Sequence, residues 1–297
     1  MKSKILIIGG SGLIGSYLAQ QFKLKGSIIG IIARNIKNRV FDEHIEADTT
    51  KIGLWIEAIK KYEIIINLAG ANIGRRWNVK YKEEILNSRI LTTKNIVASM
   101  SKNQILFNAS AVGYYGNCGE KILTEDEPPK DDFLSKVCKM WEDEALVAKN
   151  KGARVYIMRF GVVASRDGGA FIKLIKNHKL FLGSVLGDGT QYFSSIHIED
   201  IYSAISFLIN KAPNASVFNF TIPNPVTNRE LTHTISRILK RPIIIPFIPS
   251  NLLKLILGEF ADTLLFSQRA IPKRLTEAGF EFKFKFLEDI VKDLVQH

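Results

Sequence analysis

The chain has 297 residues, 46% hydrophobic and 24% charged, with 41 basic against 29 acidic side chains and a formal charge of +12. This balance excludes a disordered or fibrous chain and suits one large α/β domain, or a nucleotide-binding domain with an appended lobe. The charge favours anions, but no arginine-rich tract or nucleic-acid motif accompanies it; a local anion site in a lysine-rich surface is expected, with no nucleic-acid partner.

Lys4-Ile5-Leu6-Ile7-Ile8 is a β-branched apolar run, read as the first strand. Glycines follow at 9, 12 and 15, and a helical pattern runs from Leu13 to Lys25. Glycines so placed between a first strand and a first helix point to a bound dinucleotide. Gly9 allows the tight turn, Gly12 lets the backbone approach a pyrophosphate, and Gly15 lets the helix pack closely on the strand. Backbone N–H groups at the helix start, around Ser11, Leu13 and Ile14, are the expected phosphate donors.

Ser27 to Ala33 reads as a second strand and His44 to Ala47 as a short third. An NAD site usually carries an acidic residue about 20 residues beyond the glycines. Here the second strand runs into Arg34, whose guanidinium suits a 2′-phosphate, so NADP (NADPH) is expected over NAD, with a plain surface residue as the other reading of Arg34. Asp48 either bonds the adenine amino group or caps the following helix.

Lys51 to Lys61 is read as a helix, Glu63 to Leu68 as a fourth strand, Val79 to Met100 as a long helix and Gln104 to Asn108 as a fifth strand. Asp131 to Lys149 is another helix and Ala153 to Phe160 a sixth strand. The alternation predicts an α/β fold of Rossmann type, a doubly wound parallel sheet with helices on both faces. Ligands bind such sheets beyond the carboxyl ends of the strands. That singles out the loops after Leu68 (Leu68-Ala69-Gly70), after Asn108, and at Phe160-Gly161.

From Gly161 the pattern is less regular. Ala170 to Asn177 and Asp200 to Ile209 read as helices, Val217 to Ile222 as a strand and Asn228 to Leu239 as a helix. The expected organisation is a nucleotide-binding domain over residues 1–245, with interleaved substrate-side segments from about 161. A smaller C-terminal helical lobe over 246–297 lies on the substrate side. Cys118 and Cys138 form neither a disulfide framework nor a metal set, and no metal is expected. The first strand leaves no room for a signal peptide. The apolar stretch 243–257 is interrupted by Pro246, Pro249 and Lys254 and falls short of the ~18 residues of a span. A cytoplasmic protein without a membrane partner is expected.

Longer motifs carry a resemblance. They are Leu68-Ala69-Gly70-Ala71-Asn72-Ile73 with Arg76-Trp77, Ser88-Arg89-Ile90-Leu91-Thr92-Thr93, and Ser110-Ala111-Val112-Gly113-Tyr114-Tyr115-Gly116. To these add Trp141-Glu142 and the closing Pro272-Lys273-Arg274-Leu275 with Ala278-Gly279-Phe280. Together they resemble the atypical, epimerase-like family of extended short-chain dehydrogenases/reductases, in the NAD-dependent epimerase/dehydratase superfamily. The likeness covers essentially the whole chain, including a C-terminal lobe like the domain of unknown function DUF1731.

The resemblance implies cofactor binding together with loss of the superfamily's usual Tyr–Lys pair. Aligned on Trp141-Glu142, Leu134 stands where the tyrosine belongs and Cys138 where the lysine belongs. Leucine cannot transfer a proton and cysteine cannot supply a fixed positive charge. Ser110 matches the superfamily's substrate-orienting serine, and Tyr114 and Tyr115 are the candidate phenols beside it. Packing or loop support is the favoured reading of each tyrosine. Arg76, Arg89 and His197 are candidate substrate contacts, with structural pairing as the other reading of Arg89 and bracing that of His197.

The expected function is an NADP-binding, epimerase-like oxidoreductase acting on a small polar substrate, sugar- or nucleotide-like. The alternative is a non-catalytic NADPH sensor acting through a partner, for instance in cell division. A monomer or homodimer is expected, and family likeness alone implies dimerisation through the helices over 79–100 and 131–149.

Overall fold

The computed structural model describes residues 3–35 and 41–296. Seven strands form the central sheet: β1 (Lys4–Ile8), β2 (Ile28–Ala33), β3 (Glu43–Glu46), β4 (Ile64–Asn67), β5 (Ile105–Ala111), β6 (Arg154–Phe160) and β7 (Val217–Phe220). Their spatial order is 7-6-5-4-1-2-3, and every pairing is parallel. This is the doubly wound α/β sheet that the sequence predicts.

The uninterrupted apolar strands have a direct cause. In β1, Ile5 and Ile7 enter one core with Ile29, Ile31, Ile64, Ile66 and Phe107, whereas Leu6 and Ile8 enter another with Ile32, Ile65 and Leu106. Side chains alternate along a strand, so a sheet covered on both faces needs apolar residues at every position. Helices α1 (Leu13–Leu24) and α6 (Ile198–Lys211) cover the first face. Helices α2 (Trp55–Ile59) and α3 (Val79–Ser99) cover the second through Trp55, Ile59, Ile96 and Val97. Helix α4 (Phe133–Leu146) packs beside α3.

The helix expected over Lys51 to Lys61 shrinks to α2. Asp48 instead folds a local turn by accepting from the Thr50 backbone N–H and hydroxyl. Ile52 and Leu54 are 80% and 94% exposed, so the segment has no apolar face to dock before Trp55.

Beyond β6 the chain builds a third core between helices α5 (Gly169–Lys179) and α7 (Asn228–Leu239), through Phe171, Ile175, Leu231 and Ile235. The chain then continues through α8 (Ser250–Leu257), α9 (Asp262–Leu265), α10 (Lys273–Glu277) and α11 (Leu287–Val295). Residues from 246 onward do not keep to a core of their own. Leu275, Phe280 and Phe282 pack into the sheet core, whereas Leu287, Ile290, Val291 and Leu294 complete the α5–α7 core. Arg269–Ala270 pairs with Ile122–Leu123, further tying the C-terminal segment to the first domain. Among the described residues no helix is long and apolar enough to cross a membrane.

Candidate functional site

The strand order reverses between β1 and β4, and the two loops at that switch point touch. Gly9 turns the chain with φ +83°, and a Cβ there would lie 3.0 Å from the Leu68 carbonyl carbon and 3.1 Å from the Ala69 nitrogen. Its N–H donates to Ile32 O at 2.8 Å, which holds the loop against the end of β2. Gly15 has no room for a methyl group: a Cβ would lie 2.5 Å from Gly9 O. Gly12 is the N-cap of α1 and offers no side-chain cap, so the helix start presents backbone N–H groups around Leu13 and Ile14. Ser11 and Gly12 are exposed, whereas Ile14 packs on the sheet core and Leu13 lies against the Gly168-Gly169 turn. A cradle of backbone donors with its glycine positions filled by neighbouring backbone is the shape a pyrophosphate requires.

Arg34 is exposed directly beyond β2, two residues past the carbonyl that fixes Gly9. Asp48 is exposed as well; the hydrogen bond from the Thr50 hydroxyl holds its carboxyl below the usual range, assisted by Lys51 and Arg34. Leu68 N–H donates to Ile8 O and Ala69 N–H to Asn67 Oδ1. Gly70 lies against the Arg89 guanidinium.

The Ser88-Arg89 and Thr92-Thr93 pairs support this loop. Ala71 N–H donates to Ser88 Oγ at 2.9 Å, and Arg89 donates to the Ala71 and Ile85 carbonyls. Thr93 Oγ1 accepts from Asn67 and from Trp141, and Thr92 pairs with Thr49. Burial lowers the Arg89 pKa. Its hydrogen bonds correspond to the structural reading of that residue.

At the end of β5 lies a buried network of charge. Ser110 Oγ donates to Glu142 Oε1 at 2.6 Å. Arg159 grips the same carboxylate with two bonds, Nε to Oε1 at 2.9 Å and Nη2 to Oε2 at 2.8 Å. Arg159 Nη1 donates to the Tyr115 hydroxyl at 2.9 Å, and that hydroxyl donates to Asn219 Oδ1 at 2.7 Å. Asn219 N–H in turn donates to Glu125 Oε1, whose carboxyl burial raises above its usual pKa. Ser110, Glu142 and Arg159 are each 3% exposed. The Tyr114 ring lies 3.5 Å from the guanidinium carbon of Arg159, as a flat support. Burial raises the Tyr114 and Tyr115 phenols above the usual range.

Leu134, Cys138 and Glu142 are four residues apart on α4 and share one stripe of that helix. Leu134 lies beside Gly113, and burial followed by the Glu142 charge pushes the Cys138 thiol up to about 11. At neutral pH it is therefore a protonated, inert thiol. Glu142 and Arg159 are the residues that sequence reasoning passed over. The available signal was Arg159 itself, a lone cation inside the apolar strand Val155 to Phe160, which must have a buried anionic partner.

The remaining candidates lie apart from this network. Phe160 stacks edge-on against Phe220 at 5.3 Å, and the bare face of Gly161 is filled by Ser194 O, 2.7 Å from where a Cβ would stand. Arg76 is exposed and donates to Leu255 O in α8. His197 caps α6 through Nδ1, lies 3.8 Å from the Phe284 ring centre, and has Nε2 3.2 Å from Asp293 Oδ2. Burial lowers its pKa despite that carboxylate, which is itself held in a two-bond pair by Arg166. His197, Glu199 and Asp293 bring ligand atoms within 4.8 Å of one another, but Lys283 and Arg166 already serve the two carboxylates.

Comparisons with known proteins agree with this architecture. Residues 5–220 match the NAD dependent epimerase/dehydratase family and residues 248–294 a domain of unknown function, DUF1731. The chain is 34% identical to the chloroplastic epimerase family protein SDR39U1 homolog of Arabidopsis thaliana, over 98% of this chain and 86% of that one. It is also 34% identical to an epimerase family protein of Staphylococcus haemolyticus, over 98% and 99%. Among solved structures, human epimerase family protein SDR39U1 with NADPH superposes with a TM-score of 0.88 at 27% identity, covering 99% of each chain. The UDP-glucuronic acid 4-epimerase of Bacillus cereus shares the fold alone, with a TM-score of 0.79 at 18% identity and 99% coverage of each chain. By sequence along its length and by fold, the chain belongs to the NAD dependent epimerase/dehydratase family, in its atypical, epimerase-like short-chain branch.

Proposed function

We propose that the protein binds NADP(H) across the carboxyl edge of the sheet and is an oxidoreductase of epimerase-like type acting on a small polar substrate. The observation that carries the cofactor assignment is the uncapped start of α1 behind Gly9, Gly12 and Gly15, with Arg34 at the end of the adjoining strand. The human relative's structure with NADPH supports the same preference. The backbone N–H groups hold the pyrophosphate and Arg34 pairs with the 2′-phosphate. When bound, the nicotinamide supplies hydride chemistry.

The chain's own contribution is proton handling at Ser110. Its hydroxyl hydrogen is committed to Glu142, so Ser110 Oγ is left as an acceptor. It therefore receives a hydrogen bond from a substrate hydroxyl, and a proton arriving at Oγ passes on to the Glu142 carboxylate. Arg159 fixes that carboxylate in place. Tyr115 serves as a support, since its hydroxyl both accepts from Arg159 and donates to Asn219.

Parallel calorimetric titrations with NADPH and NADH test the reading. Tighter binding of NADPH is expected, and Arg34→Ala should cost about tenfold in NADPH affinity while leaving NADH unchanged, as loss of a charged hydrogen bond implies. Equal loss for both would remove Arg34 from the 2′-phosphate site. The second reading, a non-catalytic sensor, draws on Leu134 and Cys138 replacing the usual pair. It predicts that NADPH is bound and returned unchanged in the presence of carbonyl and sugar-nucleotide probes.

A further inference from the structure

Two segments outside the candidate site come together on the substrate side. Residues 169–187 carry Lys173, Lys176 and Lys179 and no acidic residue before Asp188; residues 240–258 carry Lys240 and Arg241, with Lys254 paired to Asp262 beyond them. Phe247–Ile248 pairs in parallel with Val185–Leu186, and Gly187 N–H donates to Ile248 O at 2.9 Å. The Arg241 guanidinium lies 5.1 Å from the Phe181 ring centre. Helix α8 begins immediately beyond, at Ser250. The two segments therefore present one continuous surface.

Its outer face is apolar. Ile244, Phe247, Leu255 and Ile256 are 65%, 55%, 72% and 59% exposed, and Leu182 is exposed beside them. Leu253 is the one buried residue of α8. An amphipathic helix of a soluble lobe turns most of its large aliphatic side chains inward; α8 turns Leu252, Leu255 and Ile256 outward. A separate observation concerns Phe181. It closes α5 with φ +60°, in a turn where Phe181 N–H donates to His178 O and Leu182 N–H to Asn177 O. Glycine normally takes this left-handed position. A phenylalanine is uncommon there; its side chain is 36% exposed, with the Arg241 guanidinium over the ring.

Charge decides between the possible occupants. Lys173, Lys176 and Lys179 are exposed along α5, and Lys240 and Arg241 are exposed where Arg241 faces Phe181; Lys254 pairs with Asp262, and Asp188 bounds the first segment. A second copy of a chain of charge +12 would set these cations against their own kind. Exposed apolar side chains on two joined segments that carry five exposed cations complement the headgroup layer of an anionic bilayer. We propose that this face docks the protein on an anionic lipid surface, with Phe181, Phe247, Leu255 and Ile256 entering the headgroup layer and the lysines meeting lipid phosphates. The mode is interfacial. The expectation of no membrane partner came from the lack of a spanning segment, which does not bear on docking at a surface.

The test is co-sedimentation of the full chain with vesicles of phosphatidylcholine alone and of equal parts phosphatidylcholine and phosphatidylglycerol. Binding to the anionic vesicles alone is expected, weakening as salt rises. Leu255→Glu with Ile256→Glu should reduce it by at least about tenfold, given what burial of two aliphatic side chains contributes. Lys176→Glu with Lys179→Glu should reduce it by a similar factor, at roughly 1 kcal/mol per cation near such a surface. NADPH titration of each variant monitors folding and keeps this result independent of the cofactor assignment. No binding to either vesicle overturns the proposal, as does equal binding to both. It is also overturned if, without lipid, the wild type forms a concentration-dependent dimer that Leu255→Glu with Ile256→Glu abolishes, which would make this face an interface between copies.

Discussion

The carboxyl edge of the sheet is built in two different ways along its length. At β1 and β4 the work is done by backbone: glycines 9 and 15 bring the loops together and the uncapped α1 offers N–H groups. At β5 and β6 it is done by buried side-chain charge, with Ser110, Glu142, Arg159 and Tyr115 satisfying one another. A backbone cradle tolerates any side chain around it and fails when a glycine gains a methyl group. A charged network tolerates movement of backbone and fails when one member is removed. The two halves should therefore respond to opposite kinds of substitution.

The largest effect is expected in the charged half. Glu142→Ala leaves Arg159 as an uncompensated buried cation, at a cost of about 3–5 kcal/mol. Denaturant unfolding measures it, and replacing both members by apolar residues of similar volume should recover most of the loss. If the double replacement is as unstable as the single one, the pair is not the organising element of this half.

Next is the backbone half. Gly15→Ala forces a methyl group to within 2.5 Å of Gly9 O. The loop must shift, so overpacking should cost about 1–3 kcal/mol in stability. NADPH affinity should fall with it, measured by calorimetry. An unaltered affinity would show that the cofactor does not use this loop geometry. Ser110→Ala should then separate the halves: turnover falls by about 10²-fold or more, the scale of a lost proton-transfer group, while NADPH affinity is unchanged. Unchanged turnover would remove Ser110 from the chemistry.

These halves were not equally legible in the amino-acid sequence. The glycine loop was legible because its requirement is local: a strand, three glycines and a helix within residues 4–25. The parallel, doubly wound sheet followed from the alternation of elements, whereas the order of its strands is read only from the fold. The Ser110 network was only partly legible, because Ser110, Glu142 and Arg159 come from three elements and meet through tertiary packing. Gly161 illustrates the same limit. Its absent side chain suited a close approach, yet the approaching group is Ser194 of the chain itself. Ile52 and Leu54 carried a helical pattern without a surface to bury it, which the pattern alone does not reveal.

The smallest expected effect lies outside both halves, at His197, and its sign follows from burial. The folded-state pKa is lowered below the ordinary 6.5, so below that value the unfolded chain binds more protons than the folded one. The contribution of neutral His197 is complete above pH 6.5 and is lost as pH falls towards the lowered folded value. Asp293 at 3.2 Å opposes this shift but is already paired with Arg166, so burial dominates. The melting temperature should therefore fall on acidification below pH 6.5, and His197→Gln should flatten that part of the profile while retaining a polar cap for α6. A profile of unchanged slope in the variant would mean that the acid sensitivity belongs to carboxylates elsewhere, and that Asp293 offsets the effect of burial on His197.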